Sequence, residues 1–559
     1  MAESRTRTSG DRMRLISLLW EVRNAARGSG EAALRVVHFN LLLTDPRYRR
    51  EMLDRGRLSN SAELRRLAAE AQGLDDGQSL KDGRSLHQGD RPNVESMPGA
   101  SPTGDHLGAR EKERGHSASW GWLVSGATLL VLGAAGLAGA GQWWGSDEPT
   151  VETVSGSLYG DVVWRSDRVY RLADMVFVES GATLNIEPGT RVEGERGSAL
   201  VVTRDGLLNA RGTQYNPVVF TSARPEAEQR AGDWGGVVLL GSAPVNTGVG
   251  QIEGIPASDP RGGFGGSDMH NNCGFLQYAR IEFAGYEISA DNELNGLTLG
   301  GCGDATVLRY IQVHAGLDDG IEFFGGTANL SHAVITDADD DSLDWGLGWR
   351  GKGQFLLIRQ SPGVGDTGFE ADNLSADHLA QPRSSPTLAN VSIFGPDTAT
   401  GAQRGMVLRR GTGLDLRNTL ISGMPGDAVD VRDRATVAQI KRGELRFDGV
   451  LIADLPTGVA FTPEQGEDDD DDGFDEDAFF GRENGVYRQA GLVLSSASAQ
   501  SNDVAVVPPT GGVFERYVVA LPKGEFWDEA ARFVGAIRPG SRTTWLDGWT
   551  RTERGPIPD

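Results

Sequence analysis

Cysteine is nearly missing from this chain, at 2 of 559 residues. That excludes a small disulfide-stapled fold and a cysteine-rich zinc fold. Positive charge is also short: Lys and Arg total 54 against 78 Asp and Glu, a net charge of −24. General nucleic-acid binding needs a basic footprint, so nucleic acid is excluded as a partner class. No G-x-S-x-G, H-E-x-x-H, phosphate-binding loop or dinucleotide fingerprint stands where a strand-to-helix turn could use it. His270, His314, His332 and His378 are scattered without metal-ligand spacing. Long helical patterns are few. Glycine is instead in excess, with 77 residues, about twice the usual ~7%. It shows no G-X-Y period, so collagen is excluded and a β-rich body with many turns is expected.

Charge is unevenly placed. Residues 1–118 hold about 20 basic and about 17 acidic residues, so the acidity belongs to the remainder. Between the two lies WGWLVSGATLLVLGAAGLAGAGQWW, Trp120–Trp144, with no charge from Arg114 to Asp147. At 1.5 Å per helical residue this run can cross ~30 Å of hydrocarbon. Trp120, Trp122, Trp143 and Trp144 bracket it as an interfacial belt. Arg110, Lys112 and Arg114 precede it and Asp147 and Glu148 follow. The positive-inside rule then places the N-terminus in the cytoplasm and the acidic body outside, on an inner or plasma membrane. The expected organisation is a cytoplasmic helical head over 1–72, a polar linker over 73–118 and a single transmembrane helix over 119–144. A short linker over 145–156 follows, then a β-helix over 157–505 and a C-terminal cap over 506–559.

In the head, Leu15, Leu18, Leu19, Val22 and Ala25 share one helical face, and Leu34, Val37 and Leu41 another. Asp45-Pro46 reads as an N-cap followed by proline at the first helical position, and Ser61 as the cap of Ala62–Gln72. The head carries no catalytic motif. Docking of a cytoplasmic protein and a purely topogenic role both fit it.

The body repeats. LQYARIEFAG from Leu276, LRYIQVHAG from Leu308 and LSHAVITDA from Leu330 share the pattern Leu-x-polar-x-x-Ile. LANVSIFGP from Leu388, LRNTLISGM from Leu416 and FDGVLIADL from Phe447 continue it. A second slot alternates with it, including DGIEFFGG at Asp319, DSLDWGLG at Asp341, DTGFEADN at Asp366 and DAVDVRD at Asp427. Short alternating strands, recurring every ~22–25 residues with Gly/Asp turns, indicate an all-β fold built as a parallel β-helix. A single coil cannot bury its own inward side chains; coils stacked ~4.8 Å apart can.

Gly181–Gly241, Tyr278–Gly285, Asn295–Gly300, Asp318–Gly326, Asp340–Trp349 and Phe369–Asn373, with the ending Phe533–Ile537 and Trp545–Thr550, resemble a family of bacterial envelope proteins. These are surface proteins and lipoproteins with a right-handed parallel β-helix. The resemblance implies that fold over residues 157–559 and an envelope location, and no particular reaction. The chain departs from the family in having a membrane anchor and a head where a lipobox cysteine would stand.

The outward carboxylates are the candidates for chemistry. Glu322, Asp344 and Glu370 occupy one slot of three successive coils, with Asp319, Asp341 and Asp366 in the turn before it. Asp427 and Asp430 repeat the pattern further on. Like charges ~5 Å apart repel, and calcium would convert the repulsion to coordination. Turn capping by the aspartates is the competing reading. In Glu467–Asp477, Asp468, Asp470 and Asp472 match the start of a calcium loop, although Phe479 stands where an EF-hand needs Glu. Asp318-Asp319-Gly320 resembles an element of polygalacturonases, whose Gly-His-Gly and Arg-Ile-Lys elements are missing here. Catalysis by Glu322, Asp344 and Glu370 with Arg350 or Lys352 as base, and sugar platforms at Trp345 and Trp349, complete the enzymatic alternative. Cys273 and Cys302 precede matched positions of neighbouring coils, close enough for a disulfide on the oxidising side of a membrane. The leading expectation is a membrane-anchored envelope scaffold, calcium-assisted, binding a glycan or an envelope protein. The alternatives are a polysaccharide lyase or glycoside hydrolase, and a transmembrane signalling protein.

Overall fold

The computed structural model describes residues 15, 18, 19, 22, 46–59, 61–75, 149–289, 292–396, 398–462, 471–490, 492, 508, 510 and 512–551. Trp120–Trp144, most of the 73–118 linker, Asp468 and Asp470 lie outside them. Among the described residues no helix is long and apolar enough to cross a membrane. The chain divides into two compact units, Met1–Gly126 and Ala127–Asp559.

The first unit contains helices Pro46–Arg57 and Ala62–Leu74. The Ser61 hydroxyl accepts from Leu64 N at 3.3 Å, filling one of the open donors at the second helix's start. Leu15, Leu18, Leu19 and Val22 pack with Met52, Leu53, Leu64, Leu67, Ala68 and Ala71. Buried Arg49 is neutralised by Asp75 at 3.0 Å.

The second unit is a parallel β-helix, one continuous 23-stranded parallel sheet wound on itself. Its first strand, Thr150–Leu158, pairs with Arg168–Val178 and so begins inside the stretch expected as a linker. One register runs Leu276, Leu308, Leu330, Gly353, Leu388, Leu416, Phe447 through successive coils. A second runs Leu297, Ile321, Leu343, Phe369. Period-two alternation sends these residues, with Leu299, Phe323, Trp345 and Ala371, into one apolar core. Full burial of each large side chain contributes about 1.5–3 kcal/mol.

Seven successive coils turn one corner at a left-handed residue. Tyr278, Tyr310, His332, Phe355, Asn390, Asn418 and Gly449 all have φ between 46° and 71° and stand one above another. Asn and Gly suit that conformation; an aromatic residue there costs about 1–2 kcal/mol. Stacking along the column offsets the cost. Tyr278–Tyr310, Tyr310–His332 and His332–Phe355 centroids lie 4.3, 4.4 and 4.6 Å apart.

The C-terminal segment is not an end cap. Residues 512–551 run back along this corner column as a lateral strap. Tyr517 stacks on Tyr487 of the last strand at 3.9 Å. Asn418 Nδ2 donates to Val519 O at 3.0 Å and Asn390 Nδ2 to Phe533 O at 2.7 Å. Trp545 meets His332 edge-on, and Trp549 meets Tyr278 and Tyr310 the same way. Arg551 closes the strap on buried Glu282 at 3.1 Å. The aromatic column needs cover and the strap's polar backbone needs partners, and each supplies what the other lacks.

Candidate functional site

The outward residues of the second register form one column: Val201, Val238, Thr298, Glu322, Asp344, Glu370, Val407. Val201 and Val238 are covered by an excursion of the chain between Gly241 and Cys273, with Val245, Ile252, Ile255 and Phe264 packed over them. The excursion also brings Glu253 close enough to act on Glu322. Cys273 ends it and is joined by a disulfide to Cys302 of the next coil, with Cα atoms 5.9 Å apart. At the other end of the column Arg409 pairs with Glu370, and with Asp372 at 2.8 Å.

Glu322, Asp344 and Glu370 are in strict register. Carboxylate oxygens of Asp319, Glu322 and Asp344 lie within 4.8 Å of one another, as do those of Asp318, Asp319 and Asp340, and of Asp340, Asp341 and Asp366. The turn aspartates divide into two kinds. Asp319 Oδ1 accepts from Asp341 N at 3.0 Å, and Asp341 Oδ1 from Thr367 N at 2.8 Å. Asp319 and Asp341 are therefore buried structural acceptors that tie one turn to the next. Asp366 does not continue their column. Its N–H donates to Asp340 O at 2.9 Å, so it stacks on Asp340, and Thr367 takes the slot above Asp341. The longer turn after Arg359 displaces it by one residue. Asp430 does regain the Glu370 column, separated from it by Val407.

Burial, reinforced by neighbouring carboxylates, pushes Asp319, Glu322, Asp341 and Asp344 well above the ordinary carboxylate range. Burial also raises Glu370, against the pull of Arg409. Asn295 Nδ2 donates to Glu322. Asp344 Oδ1, Thr298 Oγ1 and Asn295 Oδ1 are buried and have no hydrogen-bond partner among the described residues. Such orphaned oxygens are rare in a folded interior. An ion 2.4 Å from each ligand spans oxygens up to about 4.8 Å apart, so the all-oxygen set around Glu322 and Asp344 fits calcium.

A family model described as a pectate-lyase-like β-helix domain matches residues 156–488. The chain belongs to that family. No curated protein and no solved structure matches it.

Within this pectate-lyase-like β-helix, several expected site residues take other roles. Trp345 and Trp349 are fully buried and cannot serve as sugar platforms. Trp345 shares the inward face with Leu343, and Trp349 stacks on Phe323 at 4.1 Å. Their indole N–H groups donate to Thr412 Oγ1 and Ala328 O. Arg350 lies in the turn beyond the ladder strand, with its N–H on Gly326 O. Lys352 starts the next strand and lies over Phe526 of the strap. Neither is among the charges that act most strongly on Asp319, Glu322 or Asp344. Asp472 is exposed and paired with Arg434 at 2.6 Å. Sequence reasoning missed Arg409, Thr298, Asn295 and Asp340. The register would have supplied Thr298, which occupies the slot of Glu322 one coil earlier.

Proposed function

We propose that this chain is a single-pass, N-in protein of the cell envelope, whose extracytoplasmic β-helix binds an acidic glycan through calcium held by Asp319, Glu322 and Asp344. The observation that carries the reading is the convergence of three buried carboxylates, one with an unpartnered oxygen, beside the unpartnered buried oxygens of Thr298 and Asn295. Membership of a pectate-lyase-like family supports a carbohydrate ligand. The Cys273–Cys302 disulfide supports an oxidising compartment. The head is proposed to dock a cytoplasmic protein.

Binding is favoured over cleavage by the state of Arg409, the cation paired directly with Glu370 of the ladder. A lyase base must take a proton. Although burial opposes its charge, Arg409 is driven further into its protonated form by Asp372 and Glu370. Lyase activity remains the second reading, on the family's description alone.

The test uses the whole chain in nanodiscs, with calcium or with chelator, against polygalacturonate, alginate and a neutral glucan. Calcium-dependent thermal stabilisation and co-sedimentation with the acidic polymers, at unchanged polymer length, are expected. No thermal shift with calcium would remove the metal. Shortened polymers would replace the scaffold with the lyase.

A further inference from the structure

The two ends of the β-helix differ. At the C-terminal end Phe480 packs edge-on against Phe447 and stacks on Phe461, so the last coil has an aromatic cover. At the N-terminal end the described residues provide none. Most of Thr150–Leu158 is exposed. Tyr159 is 74% exposed, Val151 45% and Val163 40%. Val154, Leu158 and Val162 pack on the core yet remain only partly buried. An open terminal coil presents apolar side chains and unpaired backbone groups, which stacked folds ordinarily cover.

The sequence limits what can cover it. The apolar run ends at Trp143-Trp144, and only residues 145–149 separate it from Thr150. Five residues reach at most about 18 Å. We infer that the open N-terminal coil seats on the outer membrane–water interface, with lipid headgroups and glycerol as its occupant. This rests on the membrane-anchored reading above. Tyr159 has the amphipathic ring that favours this depth, and hydrated headgroups can satisfy the strand's free N–H and C=O groups. The charged rim is nearly balanced. Arg165 and Arg168 stand against Glu152, Asp161 and Asp167, with Arg168 paired to Asp167 at 3.0 Å and to Glu152 at 3.2 Å. The contact therefore needs no anionic lipid. It would hold the helix axis away from the membrane and set the carboxylate ladder several coils above the surface.

The full chain is reconstituted in phosphatidylcholine nanodiscs. Val163→Cys carries a fluorophore, and Lys441→Cys near the far end serves as control. Headgroup-attached spin labels are expected to quench the label at 163 by about two-fold or more over that at 441, with no dependence on anionic lipid or salt. Equal, weak quenching at both positions overturns the inference. So does disulfide cross-linking between copies through position 163, which would assign the open end to a second molecule. Separately, Ser117→Cys and Ser146→Cys are labelled in sealed vesicles with an impermeant thiol reagent. Labelling of both from one side refutes the membrane anchor itself; labelling of one leaves the quenching result to judge the seat.

Discussion

Asp344→Asn should make the metal-free protein more stable. Carboxylate oxygens of Asp319, Glu322 and Asp344 lie within 4.8 Å of one another. Two full charges at that spacing repel by about 3–4 kcal/mol at an effective dielectric of 20. The ladder escapes part of this by retaining protons, so the recoverable gain at pH 8 is about 1–3 kcal/mol. The sign with pH follows from the same shifts. The folded state holds these acids above their unfolded values, so it binds more protons than the unfolded state. Metal-free stability is then full below the ordinary carboxylate range and falls as pH rises through the raised values. Calcium displaces the protons and reverses the trend. Thermal unfolding in chelator should show Tm of the native chain dropping from pH 5 to pH 8. The variant should drop less and stand about 2–4 °C higher at pH 8. With calcium at 100 times its dissociation constant, the native chain gains about 2.7 kcal/mol and the variant little. A variant no more stable than the native chain at pH 8 without metal would refute the reasoning, as would a metal-free Tm that rises with pH.

Trp345→Ala should cost about 3–5 kcal/mol in denaturant unfolding through a core cavity, while glycan binding per folded molecule stays unchanged; a selective loss of binding would restore the sugar-platform role. Asn418→Ala removes the acceptor for Val519 N and the donor to Val519 O, at about 1–3 kcal/mol. Hydrogen exchange should quicken along residues 512–551 before the coils respond. Cys273→Ser with Cys302→Ser opens a crosslink spanning 29 residues, worth about 3–4 kcal/mol in the chain-entropy model, and reductant should lower the native Tm correspondingly.

Much of the β-helix could be read from periodicity because its contacts are local in a repeating sense. Glu322, Asp344 and Glu370 were found together because alternation and a constant coil length place them on one face. Asp366 was misplaced where that constancy fails, in the longer turn after Arg359. Trp345 could be read either as a core aromatic or as a sugar platform, and the alternation that turns Phe323 inward decides for the core. The strap is aperiodic and binds positions more than a hundred residues away, such as Gln354 with Asp528. Its polar contacts leave no trace in a sequence pattern. The corner column left a partial one: the third residue of each Leu-x-polar repeat is Asn or Gly at 390, 418 and 449, but aromatic residues at 278, 310 and 355 hide the left-handed requirement.

The outward column supports the proposal that the acids serve a ligand. Val201, Val238, Thr298 and Val407 occupy the same slot as Glu322, Asp344 and Glu370. Four neutral residues in equivalent positions show that the coil does not require charge there. The aspartates at 319 and 341 are different, because each accepts the backbone N–H of the next turn and so contributes to the fold. Among the described residues no backbone donor is seen on Glu322 or Asp344, and Asp344 Oδ1 receives no donor at all. Their mutual repulsion is a cost the architecture could avoid with valine. Thr298 Oγ1 and Asn295 Oδ1 beside these acids are likewise buried without a partner among the described residues, so the strip has the chemistry that the proposed calcium would use, a cluster of oxygens suited to a positive charge.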